Sequence, residues 1–223
     1  MNPRNPNPIF LAPVDKAEIV KIIKNLKNGS PGWDTISSKV VRQCYEYFID
    51  PLTYIANLAI SKGIFPKELK IAKVIPLHKG DSRTVYSNYR PVSVLTCFSK
   101  IFEILIYNRL IAFIEKYALL NDNQFGFRKD HSTVMALLAL IDKISKALEE
   151  GDYVIGIFLD FSKAFDTVNH SILFKKMEHY GIRGIALSLI QDYLTNRYQF
   201  VNINGVCSEK NMITCGVPQG SVL

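Results

Sequence analysis

Residues 153–160 read YVIGIFLD, an almost wholly apolar run that ends in one carboxylate. A continuous apolar run of this length reads as a strand buried on both faces. It therefore asks for a sheet with cover on two sides. Asp160, at the end of the run, falls where a strand meets a turn, and ligand chemistry collects at such carboxyl ends. Poor solvation beside an apolar strand favours coordination of a cation. A hard oxygen ligand suits Mg²⁺, which is commonly held by one or two carboxylates together with substrate phosphates. The plainer alternative is an aspartate that caps the next helix. Asp166 follows six residues later and is expected in or near the first turn of a helix over 163–180. There an acid complements the helix dipole, so Asp166 is read as structural.

The rest of the chain is of a size and composition that supports a true core. With 223 residues it buries roughly 70% of its unfolded surface. Lysine and arginine total 27 against 20 acidic residues, a net charge of +7. This permits a polyanionic partner such as nucleic acid without requiring one. Cys44, Cys97, Cys207 and Cys215 lack the short spacing of zinc or redox pairs and are read as buried thiols in a reducing compartment. The opening MNPRNPNP is polar and broken by proline, unlike a signal peptide. The apolar stretch 101–120 is interrupted by Glu103, Arg109 and Glu115, so it reads as an amphipathic helix and not a membrane span.

Periodicity predicts helices over 15–28, 37–62, 99–119, 133–150 and 185–196. Gly29 is the expected stop of the first, while Ser99 and Ser132 are the expected caps of the third and fourth. A strand is expected over 72–77. RYQFVNING and VCSEKNMITCG read as a hairpin turning at Asn204-Gly205. GVPQG reads as a loop that opens a helix. Lys79 and Arg90 are expected on the two sides of a hairpin turn, and Arg128 and Lys129 on the loop QFGFRK. Basic side chains on loops near a metal carboxylate suit phosphate groups, although any one of them taken alone reads as a solvated surface charge.

Five segments occur in order: KNLKNGSPGWD, KVIPLHKGDSRTVYSNYRPVSVL, NDNQFGFRKDHST, FLDFSKAFDTVNHSIL and GVPQGSVL. Together they resemble the reverse transcriptase domain of non-LTR (LINE-type, jockey-like) retrotransposons, from about residue 12 onward. The resemblance implies an α+β right-hand polymerase fold, largely helical with a small sheet. Residues 1–13 would be a lead-in, 14–150 fingers and the fingers/palm junction, and 151–223 part of the palm. The implied activity is RNA-directed DNA polymerisation, the Mg²⁺-dependent transfer of deoxynucleotides to a primer 3′-hydroxyl. RNA template, DNA primer and deoxynucleoside triphosphates are the implied partners, with no membrane. The implied location is intracellular, in nucleus and cytoplasm.

Residue by residue, Asp160 matches the family's first metal-binding aspartate, and the carbonyl of Phe161 would add a second oxygen. Lys79 and Arg90 match the grip on the incoming triphosphate. Phe165 matches the steric gate beneath the nucleotide sugar, against the alternative of an ordinary core aromatic. Gln219 matches a nucleotide contact, with Gly216 and Gly220 allowing close backbone approach. Arg128 and Lys129 are expected to touch template or phosphate. The family's Tyr/Phe-x-Asp-Asp box, which completes a site for two Mg²⁺ ions, does not occur in this sequence. The chain as it stands is therefore expected not to extend a primer. Two rival readings remain at this point. One is an aspartyl-phosphate phosphatase, disfavoured by Ser162 where a second acid is usual. The other is an inactive truncated relic that at most binds RNA.

Overall fold

A computed structural model describes residues 5–223; positions 1–4 of the expected lead-in lie outside the described residues. The chain forms two compact units, one from residues up to 112 together with 163–223, the other from 113–162.

In the first unit, α1 (Lys16–Lys24) starts where the Asp15 side chain accepts the Glu18 amide at 2.7 Å. It stops at Asn25, short of the expected Gly29, because Asn25 turns its own side chain onto the Lys21 carbonyl. α2 (Ser38–Lys62) is capped by Ser37 and ends at Gly63 in a left-handed conformation. α3 (Cys97–Lys116) runs from this unit into the second. Its cap is the Thr96 hydroxyl, which accepts the Ser99 amide at 3.0 Å, so Ser99 lies inside the helix and not before it. α5 (His170–His179) and α6 (Ile185–Leu194) complete the helices of the unit. The helix expected from 163 begins only at His170, because Asn169 accepts the Ile172 amide and caps it there.

These helices bury the faces that their periodicity marks out. Ile19 and Ile23 of α1, Val41 and Ala56 of α2, Ile101, Phe102 and Leu105 of α3, and Leu189 and Tyr193 of α6 share one core. Phe65, in the loop after α2, is 1% exposed and stands edge-on to Phe102 and Tyr193, with centroids at 5.9 and 4.9 Å. Such T-shaped pairs add to simple burial. Two ion pairs tie the helices to what lies beside them. Arg109 grips Glu18 through two parallel bonds of 2.9 and 3.0 Å, and buried Lys70 meets Asp192 at 2.8 Å.

The sheet of the unit is mixed. β1 (Ile71–His78) pairs antiparallel with β2 (Tyr89–Val94) and parallel with β3 (Arg197–Ile203), so β3 crosses back beside a strand more than a hundred positions earlier. β3 turns into β4 (Val206–Cys207) at Asn204-Gly205, with φ of 50° and 86° as a two-residue hairpin requires. β5 (Asn211–Ile213) also pairs antiparallel with β3.

The second unit holds the end of α3 and α4 (Thr133–Glu149), capped by Ser132 as expected. No residue of α4 is buried. YVIGIFLD corrects the opening expectation. Among the described residues it forms no strand, and Tyr153, Ile155, Ile157, Phe158 and Leu159 are all more than 80% exposed. Its apolar run has the composition of a buried strand, but a strand exists only where another strand takes its hydrogen bonds. The described part of this unit contains none. The cysteines also differ from expectation. All four are free, but only Cys97 is buried, while Cys44, Cys207 and Cys215 are exposed.

Charged and polar side chains also sit in the core of the first unit, among them Glu103, Tyr193 and Arg197. Glu103 on α3 is wholly buried; its Oε1 lies 2.9 Å from the Tyr193 hydroxyl and 3.3 Å from Ser99 Oγ. Arg197, 1% exposed, lies over the Tyr193 ring at 4.6 Å and donates Nη1 to the Tyr193 carbonyl at 3.0 Å. Its Nε and Nη2 have no hydrogen-bond partner among the described residues. Burial pushes the Glu103 carboxyl above its usual range, against the Val222 amide, the Tyr193 hydroxyl and the charge of Arg197. Burial and the neighbouring Glu103 raise the Tyr193 hydroxyl as well.

A carboxyl raised on folding supports the native state below its unfolded pKa of about 4.3 and withdraws that support as pH rises through the higher folded value. Urea denaturation of wild type and Glu103→Gln at stepped pH isolates this contribution. The stability of wild type relative to the variant should fall as pH climbs above about 4.3. A difference that stays level or grows over that window would show that Glu103 is held as a stabilised anion.

Candidate nucleotide-binding site

Lys79 follows directly on β1, and Arg90 lies on β2 opposite Leu77, so the hairpin places both beyond the covered part of the sheet. Both side chains are exposed. The turn between them is built by its own polar groups. The Lys79 amide donates to the Asn88 carbonyl at 2.8 Å, and Nζ reaches the Ser87 carbonyl at 3.5 Å.

The GVPQG segment lies against two other pieces of the first unit. The Gly216 amide donates to the Val168 carbonyl at 2.9 Å, and the Val217 amide to the Phe165 carbonyl at 2.8 Å. His170 Nε2 lies 2.7 Å from the Gly216 carbonyl. On the other side, the Gln219 carbonyl accepts the Ser93 amide of β2 at 2.8 Å. β2 is an outer strand, and on its otherwise unpaired edge this loop takes the Ser93 amide. Both glycines are needed for the fit. A Cβ at Gly216, whose φ is +81°, would stand 2.7 Å from the Asp166 carbonyl oxygen. One at Gly220 would stand 3.0 Å from the Ser93 carbonyl oxygen.

This lacing brings Gln219, Gly220, Phe165 and the strand of Arg90 into one connected piece of backbone. The Gln219 side chain donates Nε2 to Asp166 Oδ1 at 2.9 Å. Asp166 is therefore not in a helical turn, as its spacing suggested; it sits in a tight turn four residues before α5 and orients Gln219. No local pattern reveals this, because the partners are 53 residues apart. Phe165 is 44% exposed, so its ring is neither free of the protein nor a buried core residue.

The other expected site residues belong to the second unit. Arg128 is half-buried and donates Nη1 to the Asn121 carbonyl at 3.2 Å, while Lys129 is exposed. Asp160 and Phe161 lie in the exposed stretch that follows Gly151. Among the described residues no three His, Cys, Asp or Glu side chains cluster in a way that holds a metal ion. One carboxylate and one carbonyl are nonetheless hard donors, and they fit an ion such as Mg²⁺ that completes its shell with phosphate and water.

Comparison with known proteins decides the family. Residues 77–223 match the model of the reverse transcriptase (RNA-dependent DNA polymerase) family. The chain belongs to that family. It is 34% identical over 215 residues to the RNA-directed DNA polymerase from mobile element jockey of Drosophila melanogaster, covering 96% of this chain and 23% of that protein. The jockey polymerase of Drosophila funebris is 32% identical over 213 residues, with 95% and 23% covered. The "probable RNA-directed DNA polymerase from transposon BS" of Drosophila melanogaster is 34% identical over 221 residues, with 96% and 24% covered. The chain thus spans about a quarter of the length of these relatives. It carries a reverse transcriptase domain, α+β with six α-helices and a small mixed sheet among the described residues. Reverse transcriptases as a family use divalent metal ions and act on nucleic-acid templates with nucleotide substrates. No helix among the described residues is long and apolar enough to cross a membrane.

Gly216→Ala should lower stability by about 1–3 kcal/mol, since the variant meets both an unfavourable φ and a backbone oxygen. Gly205 has a similar φ of +86° but nothing within 4 Å of its Cβ position. Gly205→Ala should therefore cost only the smaller, conformational part. Equal losses in the two variants, measured by chemical denaturation, would mean that the GVPQG segment is not packed against residues 165–166.

Proposed function

We propose that this chain supplies the fingers (about 14–150) and part of the palm (from about 151) of an intracellular, right-handed RNA-directed DNA polymerase. Its first unit binds the incoming deoxynucleoside triphosphate. The observation that carries this reading is the loop that joins Gln219 to both the Phe165–Asp166 turn and the strand of Arg90. The segment places an amide, a half-exposed aromatic ring and basic side chains on connected backbone.

In this reading Arg90 and Lys79 take the triphosphate. Arg90 supplies a planar fork suited to two phosphate oxygens, and Lys79 a compact charge. Gln219, oriented by Asp166, donates or accepts at the nucleotide, and Gly220 keeps the backbone close. The Phe165 ring packs under the sugar and leaves no room for a 2′-hydroxyl. Selectivity then arises from a clash with the wrong substrate. Arg128 and Lys129 contact the phosphates of the template or primer. Asp160 and the Phe161 carbonyl would hold Mg²⁺, with two ions in the complete enzyme. Bound there, the metal would activate the primer 3′-hydroxyl and neutralise charge on the leaving pyrophosphate.

Equilibrium binding of a deoxynucleoside triphosphate with Mg²⁺ to the chain tests this assignment. Arg90→Ala should weaken binding at least tenfold, a loss of about 1.4 kcal/mol. Arg90→Lys should also weaken it, because an ammonium does not reproduce a two-pronged contact. Unchanged affinity in both variants returns Arg90 to the solvated surface. A second measurement concerns the gate. Phe165→Val should bring ribonucleotide affinity close to that for the deoxynucleotide while leaving the latter nearly as it was. If the ratio holds and only stability falls, Phe165 serves packing alone.

A further inference from the structure

Glu103 is a buried acid that the assignments above leave unused. Replacing such a group by an apolar residue of similar size commonly stabilises a core, so its presence calls for a partner that an apolar side chain cannot serve. Two of its partners, Ser99 and Tyr193, are side chains of α3 and α6. The third is different in kind. Oε2 accepts the backbone amide of Val222 at 2.9 Å, in a segment without regular structure.

That amide closes a series of attachments. Segment 216–222 is held at Gly216 and Val217 by carbonyls of the 165–168 turn, at Gln219 by the Ser93 amide, and at Val222 by Glu103. Gln219 is itself the third of these points, three residues before the amide that Glu103 takes. Without helix or strand bonds of its own, the segment depends on these attachments for its conformation.

We propose that Glu103 is a positioning residue: its carboxyl oxygen holds the Val222 amide and so fixes the segment that presents Gln219 to the incoming nucleotide. This rests on the reading of Gln219 as a nucleotide contact. The geometry also explains why the acid is a glutamate within an apolar helix face. A backbone N–H needs a long side chain that carries an acceptor into the core, and the two hydroxyls satisfy the other oxygen.

The test removes the contact from both sides. Val222→Pro deletes the amide hydrogen and leaves Glu103 and every core side chain in place. Glu103→Gln keeps the shape but presents an amide in place of one acceptor oxygen. Tyr193→Phe removes a different partner and serves as the control. Amide hydrogen exchange at Ser93 and Val217 reports the attachment of the segment, and binding of a deoxynucleoside triphosphate with Mg²⁺ reports its consequence. In Val222→Pro and Glu103→Gln, exchange at Ser93 and Val217 should rise at least tenfold while amides in the middle of α2 keep their protection. Nucleotide affinity should fall at least fivefold in both. Tyr193→Phe should stay within twofold of wild type in exchange at these two amides.

Wild-type protection of Ser93 and Val217 in Val222→Pro would overturn the proposal, and this holds even if Glu103→Gln does not fold. Faster exchange with unchanged nucleotide affinity would overturn its functional half. If exchange responds as expected but the wild-type chain binds no nucleotide, the anchor stands and the nucleotide reading of Gln219 falls.

Discussion

A carboxyl shut away from solvent is the point on which the first unit turns. Glu103 joins α3, α6 and a stretch of backbone that belongs to neither helix. Leaving either of its oxygens without a donor would cost free energy, and each has one: Ser99 and Tyr193 on Oε1, the Val222 amide on Oε2. Arg197, over the Tyr193 ring, adds a positive charge to the same interior and partly opposes the upward push of burial on the acid. The apolar core gives this arrangement its rigidity. Phe65, packed edge-on between Phe102 and Tyr193, keeps the helices that carry two of the three partners at a fixed separation.

From this interior the order passes outward to the segment around Gln219. The loop takes the Ser93 amide on the open edge of β2 while its Gly216 and Val217 amides bond the turn that carries Phe165. A sheet edge, a tight turn and a glycine-bounded loop meet without any side chain between their backbones. In the reading proposed above, such close approach suits a phosphate-bearing ligand, with the side chains of Arg90 and Lys79 exposed and that of Gln219 tied to Asp166. Membership of the reverse transcriptase family agrees with such a ligand.

Much of the helical framework was legible in the sequence because each helix announces itself locally. Ser132 caps a helix, apolar residues recur at helical spacing, and Asn204-Gly205 turns a hairpin by the backbone signs it permits. What lay hidden depends on partners far away in the chain. The parallel pairing of β1 with β3 leaves no trace in either strand. Glu103 read as an interruption of an apolar helix, since nothing nearby shows that Tyr193 and Val222 arrive at its oxygens. Asp166 read as the acid of a first helical turn, whereas Asn169 starts the helix later and frees Asp166 for Gln219. YVIGIFLD failed in the opposite sense. Its composition is that of a buried strand, but composition does not provide a neighbour for its hydrogen bonds, and in the described structure it has none.

The central claim is that the Gln219 side chain, held by Asp166, faces the nucleotide. The most direct measurement follows the side-chain amide resonances of Gln219 while a deoxynucleoside triphosphate with Mg²⁺ is added. The account predicts a saturable shift of the Gln219 amide that tracks occupancy, with Gln43 on α2 unmoved. Full occupancy with the Gln219 resonances unchanged would contradict it.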